Sequence, residues 1–364
     1  MSFFSTFNNI SKNGWSTNTN NYSLIAKSTA NSFGFIATSP TASTTYRRNT
    51  TSGANNQWIL TYYSSNNTVS IAGSQGNRFD QGYTAKEGPG NVVFSFGSYD
   101  ANSITNRGMI EGPFGTVIGN ITGEWLGQGL AISLDGNIIA ATHVVSNVQS
   151  NAIIWAYSSN TWSLRNDFNI STTGGVGSEA ALNGYGNSLL VTNYVDGSAY
   201  IYDYNSNANT WTETANLFSN IGANYGISPW LNYNADKAIF PILTTLSSNI
   251  VIWEKTSNVW SSSVVTLDTA GGNIALAGSR LTIADDGNIL GAPLRNGSDY
   301  FYGIYAKNNN NLYELIQIIP NPLEPTAVIG TASADTTKNG KFLILGAGNT
   351  ANSTVTNTVL YFVK

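Results

Sequence analysis

Residues 129–168 read GLAISLDGNIIAATHVVSNVQSNAIIWAYSSNTWSLRNDF. Leu130, Ile132 and Leu134 alternate with Ala131 and Ser133, the period of a strand with one wetter face. Asp135-Gly136 follows, a pair that two-residue hairpin turns select because both central residues need φ above zero. Ile138 to Ala141 is a continuous apolar run, as expected of a strand covered on both faces. Ala152 to Tyr157 predicts a third strand, Ser158-Ser159-Asn160 a second turn, and Thr161 to Leu164 a more polar fourth strand. The stretch therefore predicts a four-stranded antiparallel meander. One such sheet cannot bury both faces alone, so the chain must repeat it.

It does. The turn recurs at Gly186-Asn187, Ala235-Asp236, Asp286-Gly287 and Asn339-Gly340. The aromatic that opens the fourth strand recurs as Trp162, Trp211, Trp260 and Tyr313. The third strand recurs at Ala199–Tyr204, Asn249–Trp253 and Tyr300–Tyr305. A period of about 50 residues with four strands per unit is the signature of a propeller. Over 364 residues it gives seven units. The expected fold class is all-β: a seven-bladed β-propeller of four-stranded antiparallel blades, with the ring closed by an N-terminal strand pairing with the C-terminal blade.

The expected blades are 20–65, 66–120, 125–170, 176–218, 225–267, 272–319 and 328–364 plus 1–10, in a single domain over 1–364. Tyr22–Ala26, Phe33–Ala37 and Gln57–Tyr62 fall in the first unit, and Val69–Ala72, Val92–Phe96 and Met109-Ile110 in the second. The last unit reads Thr331–Ala334, Phe342–Leu345 and Thr358–Val363, one strand short. Met1–Ile10, with Phe3, Phe4 and Phe7, resembles the end of a unit, so Met1–Asn8 is the expected outer strand of the last blade. Closure of this kind removes the open sheet edges that invite aggregation.

Asp285-Asp-Gly-Asn-Ile-Leu-Gly-Ala-Pro293, followed by Tyr302-Gly-Ile-Tyr305, resembles the FG-GAP repeat of integrin-alpha-type propellers, and Ser133–Ala141 is similar. The Gly-Ala-Pro element stands only at 291–293. The resemblance implies a seven-bladed propeller. A kelch-like propeller is the runner-up: Tyr204 and Trp211 have the kelch spacing, but the kelch double glycine is missing from every unit.

Composition narrows the chemistry. Charged residues are 10% of the chain and the formal net charge is −4, which argues against a nucleic-acid partner. No apolar run approaches the length of a membrane helix, so no membrane partner is expected. The opening Met1–Ile10 has neither the basic region nor the apolar stretch of a signal peptide, and synthesis in a cytosol is expected. With no cysteine, disulfides, thiolate metal sites and cysteine nucleophiles are excluded.

FG-GAP repeats often carry a calcium loop, but here it shrinks to Asp135-Gly136, Asp285-Asp286-Gly287 and Asn339-Gly340, and calcium wants six to eight oxygens. No cofactor or metal is expected. His143 is the single histidine, a weak candidate for a ligand contact. Ser133-Leu134-Asp135-Gly136 lacks the spacing of a sialidase Asp-box, and no carboxylate pair for glycoside cleavage can be selected from the sequence. Trp162, Trp211 and Trp260 share one repeat position and are expected to pack between blades, buried at equivalent sites. Trp15, Trp125 and Trp230 are the less regular aromatics and the better candidates for a surface contact.

The expected function is a non-catalytic interaction or structural propeller with protein partners in a larger assembly, in its most concrete form a virus or phage particle protein on the virion or particle surface. Binding of glycans by a lectin-like propeller and cleavage of glycans by an enzyme are the alternatives. No catalytic, cofactor-binding or metal residue is assigned, and the binding residues are left open.

Overall fold

The computed structural model describes residues 22–30, 36–38, 44–48, 57–63, 68–75, 81–88, 91–97, 109–112, 114–118, 126–127, 129–133, 135–146, 149–171, 176–193, 198–217, 229–241, 249–267, 275–276, 281–284, 286–296, 299–310, 312–320, 328–336, 342–348 and 357–363. They form seven antiparallel sheets. The third sheet joins Leu130–Ile132, Ile138–Ser146, Gln149–Ser158 and Thr161–Ser171 in sequence order. The fourth joins Val176–Leu182, Ser188–Asn193, Ser198–Asn205 and Thr210–Asn216. The fifth joins Trp230–Leu231, Lys237–Pro241, Asn249–Thr256 and Val259–Thr266. In the sixth, Ile289–Asn296, Asp299–Lys307 and Tyr313–Pro320 follow a first position split between Ala275–Leu276 and Thr282–Ile283, both paired to Ile289–Asn296.

At the start of the chain the strands group differently from the sequence expectation. The first sheet is Ile36–Thr38, Thr44–Arg48, Gln57–Tyr63 and Thr68–Gln75, and the second is Gln81–Gly88, Asn91–Gly97, Met109–Gly112 and Gly115–Ile118. Val69–Ala72 thus belongs to the outer strand of the first sheet, not to the second unit. Ser23–Ala30 does not open the first unit either. It pairs with Asn357–Val363, outside Phe342–Gly348 and Val328–Thr336, and completes the last sheet. The place expected for Met1–Asn8 is held by Ser23–Ala30, while Met1–Ile10 lies outside the described residues. The physical reason is simple: an alternating segment announces a strand, but its pairing partner is set by tertiary contacts that alternation does not encode.

The core lies between successive sheets. Ile138 and Ala140 pack with Leu182, Leu189 and Val191 of the fourth sheet. Ile139 and Ala141, pointing the other way, pack with Ile110 of the second. Both faces are therefore covered, which is why Ile138–Ala141 is apolar without a break. The same arrangement links the fourth sheet to the fifth, the fifth to the sixth and the sixth to the last.

Candidate functional site: the turn face of sheets three to six

The turn between first and second strands follows one rule in four sheets. Ser133, Asn183, Asn232 and Ala284 each donate a backbone N–H to the carbonyl five residues on, at 2.9 to 3.0 Å. Each also accepts from the N–H three residues on, at 2.8 to 3.1 Å. The residue at that third position has positive φ: Gly136 (73°), Gly186 (66°), Ala235 (56°) and Gly287 (68°). This is a four-residue loop with one left-handed residue, not the two-residue turn expected from Asp135-Gly136. Two-residue turns with two left-handed residues occur instead between third and fourth strands, at Ser159-Asn160 and Ser257-Asn258. The Asn339-Gly340 turn lies outside the described residues.

Side chains lock these loops. Asn183 Oδ1 accepts from the backbone N–H groups of Asn187 (3.0 Å) and Ser188 (2.9 Å), and Asn232 Oδ1 does the same for Asp236 (3.0 Å) and Lys237 (2.9 Å). Asp135 accepts from Ser133 Oγ (2.6 Å), the Asn137 N–H (3.0 Å) and Asn137 Nδ2 (3.0 Å). Partial burial opposes ionisation of Asp135, but these bonds outweigh it and hold the carboxyl below its usual range. Asp286 binds Asn288 in the same way. The third strand of each sheet is tied to its loop by one more bond: Tyr157, Tyr204, Lys255 and Lys307 donate to the carbonyls of Asn137, Asn187, Asp236 and Asn288.

Neighbouring loops touch. A Cβ on Gly186 would fall 2.6 Å from Ile138 of the previous sheet, so glycine is required there for close approach as well as for its φ. A Cβ on Gly184 would fall 2.0 Å from the Tyr233 ring of the next sheet. Gly184 N also donates to the Tyr233 carbonyl at 3.1 Å, and Asn183 Nδ2 to the same oxygen at 3.3 Å. Tyr233 meets Tyr185 edge to face, with centroids 4.5 Å apart at 65°. A hydrogen bond with Tyr185 is the main reason the Tyr233 phenol is held above its usual range, with the nearby Asp135 carboxylate adding to it. Tyr185 is 58% exposed and Tyr233 38%.

At the same end of the seam between the fifth and sixth sheets, Lys237 Nζ stands 2.7 Å from Glu254 Oε1. Lys307 is beside them. Burial, and then the Lys237 ammonium, push its amine below the usual lysine range.

Of the residues singled out in the sequence, Trp211 is buried and stacks on Phe168 of the preceding sheet, at 5.6 Å and 3°. Trp162 reaches Phe114 of the second sheet edge-on at 6.1 Å, and Trp260 packs on the core between the fourth and fifth sheets. All three bridge neighbouring sheets, but only Trp211, covered face to face by Phe168, is buried, while Trp162, met edge-on by Phe114, and Trp260 are partly buried. Trp230 is half-buried, with its ring against Gly287 and the core between the fifth and sixth sheets. Trp15 and Trp125 lie outside the described residues. His143 is buried, with Nε2 3.8 Å from Asp167 Oδ1, which also accepts from Asn151 Nδ2 at 2.8 Å. Among the described residues no three His, Asp or Glu side chains gather in a way that could hold a metal ion. Sequence reasoning missed Tyr185 and Tyr233. The available signal was an aromatic inside a polar loop, where no sheet neighbour can cover it.

No protein-family model matches the chain, and no curated protein matches its sequence. Solved structures do. The chain is similar to the β-propeller domain of Cps50 (Swd1) from Myceliophteria thermophila, with a TM-score of 0.60 at 8% identity, covering 92% of this chain and 98% of that one. It is similar to hydrazine synthase from Kuenenia stuttgartiensis, with a TM-score of 0.58 at 16% identity, covering 94% and 98%. It is also similar to an oligogalacturonate lyase in complex with manganese, with a TM-score of 0.55 at 7% identity, covering 92% and 90%. At such identities the likeness is one of fold: this is an all-β chain of the propeller class. Proteins with enzymatic names are among these neighbours, so the fold leaves catalysis open.

Proposed function

We propose that the seven sheets are the blades of one closed ring of FG-GAP-like repeats, and that this ring is a non-catalytic interaction module in a larger assembly, with a virus or phage particle as its setting. Closure is supported by the last sheet, which takes strands from both ends of the described chain. The observation that carries the interaction reading is the outer strand of the fifth sheet. Val259–Thr266 reads VWSSSVVT and is exposed except at Trp260 and Val265. It is the edge of its sheet, eight residues long, without a charge or a proline. Edge strands left open to water are normally blunted by charge, proline or a bulge, and an unblunted one is a template for pairing with another chain. Val259 and Val264, 67% and 49% exposed, give such a pairing apolar contact.

Val264→Lys tests this. It blunts the edge and leaves the core untouched, so the variant melts like the parent but no longer co-purifies with its assembly. Mass spectrometry of purified particles and a glycosidase screen of the isolated chain complete the test. Absence from any particle together with measurable glycoside turnover overturns the reading in favour of a glycan-cleaving enzyme.

A further inference from the structure

We propose that Tyr185, Tyr233 and Asp135, on the turn face of the third to fifth sheets, form a binding site for a neutral hexopyranose, which gives the interaction module a glycan ligand. The inference deepens the interaction reading, but it uses a different surface from the outer edge of the fifth sheet.

Two large rings stand in solvent at adjacent loops, and neither is free to collapse. The Tyr233 ring lies on the Gly184 backbone, where no side chain could fit beneath it. Its own carbonyl takes hydrogen bonds from Gly184 N and Asn183 Nδ2. Tyr185 packs against it edge-on, which leaves Tyr185 more than half exposed. A tyrosine fixed in this way offers broad apolar contact at little entropic cost, since its few rotamers are already restricted. The C–H face of a pyranose is the complementary apolar surface.

The polar surroundings suit hydroxyls. Asp135 is ionised and held still by Ser133 and Asn137, so its remaining lone pairs are fixed acceptors. A carboxylate forms charge-assisted bonds with sugar hydroxyls that are stronger than neutral ones. Asn187, exposed at the fourth loop, has Oδ1 engaged by Asn183 Nδ2 at 2.8 Å, which leaves its own amide N–H groups as the donors it offers to a ligand. Asp135 also sets the selectivity, because it repels sialic acids, uronates and phosphates. The net charge of −4 works in the same direction.

The full chain is passed over an array of neutral and acidic glycans, and retained sugars are then titrated by ligand-observed NMR together with lactose, maltotriose and a polyproline peptide. The expected result is retention of neutral glycans only, with a dissociation constant near the millimolar range, roughly −4 kcal/mol. Tyr185→Ala weakens binding about tenfold or more with an unchanged melting temperature, because the ring is exposed. Asp135→Asn weakens neutral sugars and narrows the gap to acidic ones, and Val264→Lys leaves the titration unaltered. Failure of Val264→Lys to affect assembly overturns the edge reading alone. Absence of any neutral sugar binding at about 10 mM, equal binding by Tyr185→Ala, or retention of the peptide instead overturns the glycan site.

Discussion

Gln317 holds Tyr22 with both ends of its amide. Nε2 donates to the Tyr22 carbonyl at 2.7 Å, and Oε1 accepts from the Tyr22 N–H at 2.6 Å. Gln317 lies on the outer strand of the sixth sheet, and Tyr22 immediately precedes the strand that completes the last one. Tyr22 is itself buried among Tyr302, Ile304 and Ile319 of the sixth sheet and Leu343 and Leu345 of the last. The amide therefore pins the entry of the N-terminal strand across a seam between two sheets.

Gln317→Glu is expected to lose the donor and place a negative charge against a carbonyl. With two bonds at stake, the loss is about 1–3 kcal/mol, read as a lowered denaturation midpoint. Deleting residues 1–30 removes the paired strand altogether and is expected to give aggregation, seen as early elution in size exclusion, since Asn357–Val363 then becomes an open edge. A Gln317→Glu protein with the parent's midpoint would show that the clamp contributes nothing.

The three repeat tryptophans are not equivalent, and their truncations should separate. Trp211→Ala opens a cavity between Phe168 and the core and is expected to cost about 3–5 kcal/mol. Trp162→Ala and Trp260→Ala, on partly buried rings, should cost clearly less. Trp211→Phe should be mild, because Trp211 Nε1 has no hydrogen-bond partner among the described residues and the stacking surface is retained. Denaturation midpoints of the four variants decide the order.

Much of this fold was legible because its repeats carry local signals. The apolar run at Ile138–Ala141, the turn at each unit and the aromatic at Trp162, Trp211, Trp260 and Tyr313 all announce strands in order. Tyr313 illustrates the limit of that reading. Its place as the aromatic opening the fourth strand follows from the repeat, but its burial and its hydrogen bond to the Gly287 carbonyl, at 2.6 Å, depend on packing and loop geometry. The grouping of Ser23–Ala30 with Asn357–Val363 was not legible either, since a strand's sequence does not name a partner more than three hundred residues away. The Tyr185–Tyr233 pair escaped for the same reason: the rings sit in separate loops and meet only when the fourth and fifth sheets are side by side.

Acid should release a small part of the stability at Glu254. The hydrogen bond from Lys237 is the main cause that holds its carboxyl below the usual range, against some burial. A folded-state value below the unfolded one stabilises above the ordinary carboxylate pKa of about 4.3, and the contribution is lost as pH falls through the folded value. Glu254 is half exposed, so the effect is screened and should shrink in high salt. Glu254→Gln is expected to have a shallower fall in melting temperature between roughly pH 5 and 3 than the parent. Parallel slopes for the two proteins would rule out the linkage.

Calcium should leave the protein unaffected. The question arises because Asp-Gly stands in the turns at Asp135-Gly136 and Asp286-Gly287, and calcium is held by converging carboxylates. Here each loop has four residues, and the side-chain oxygens described in it already accept hydrogen bonds within the loop. Asp135 accepts from Ser133 and Asn137, and Asp286 from both the backbone and the side chain of Asn288. Asn183 and Asn232, at the start of the other two loops, spend their carbonyl oxygens on backbone N–H groups. An ion needs six to eight oxygens, and a loop with at most two carboxylates supplies too few. A ligand that binds only the folded state raises stability by about 2.7 kcal/mol at a hundred times its dissociation constant, so even modest affinity is visible in a melt. Thermal scans with excess chelator and with millimolar calcium are therefore expected to overlay. A rise of several degrees with calcium, or a matching fall with chelator, would reveal an oxygen cluster that the turn geometry does not provide.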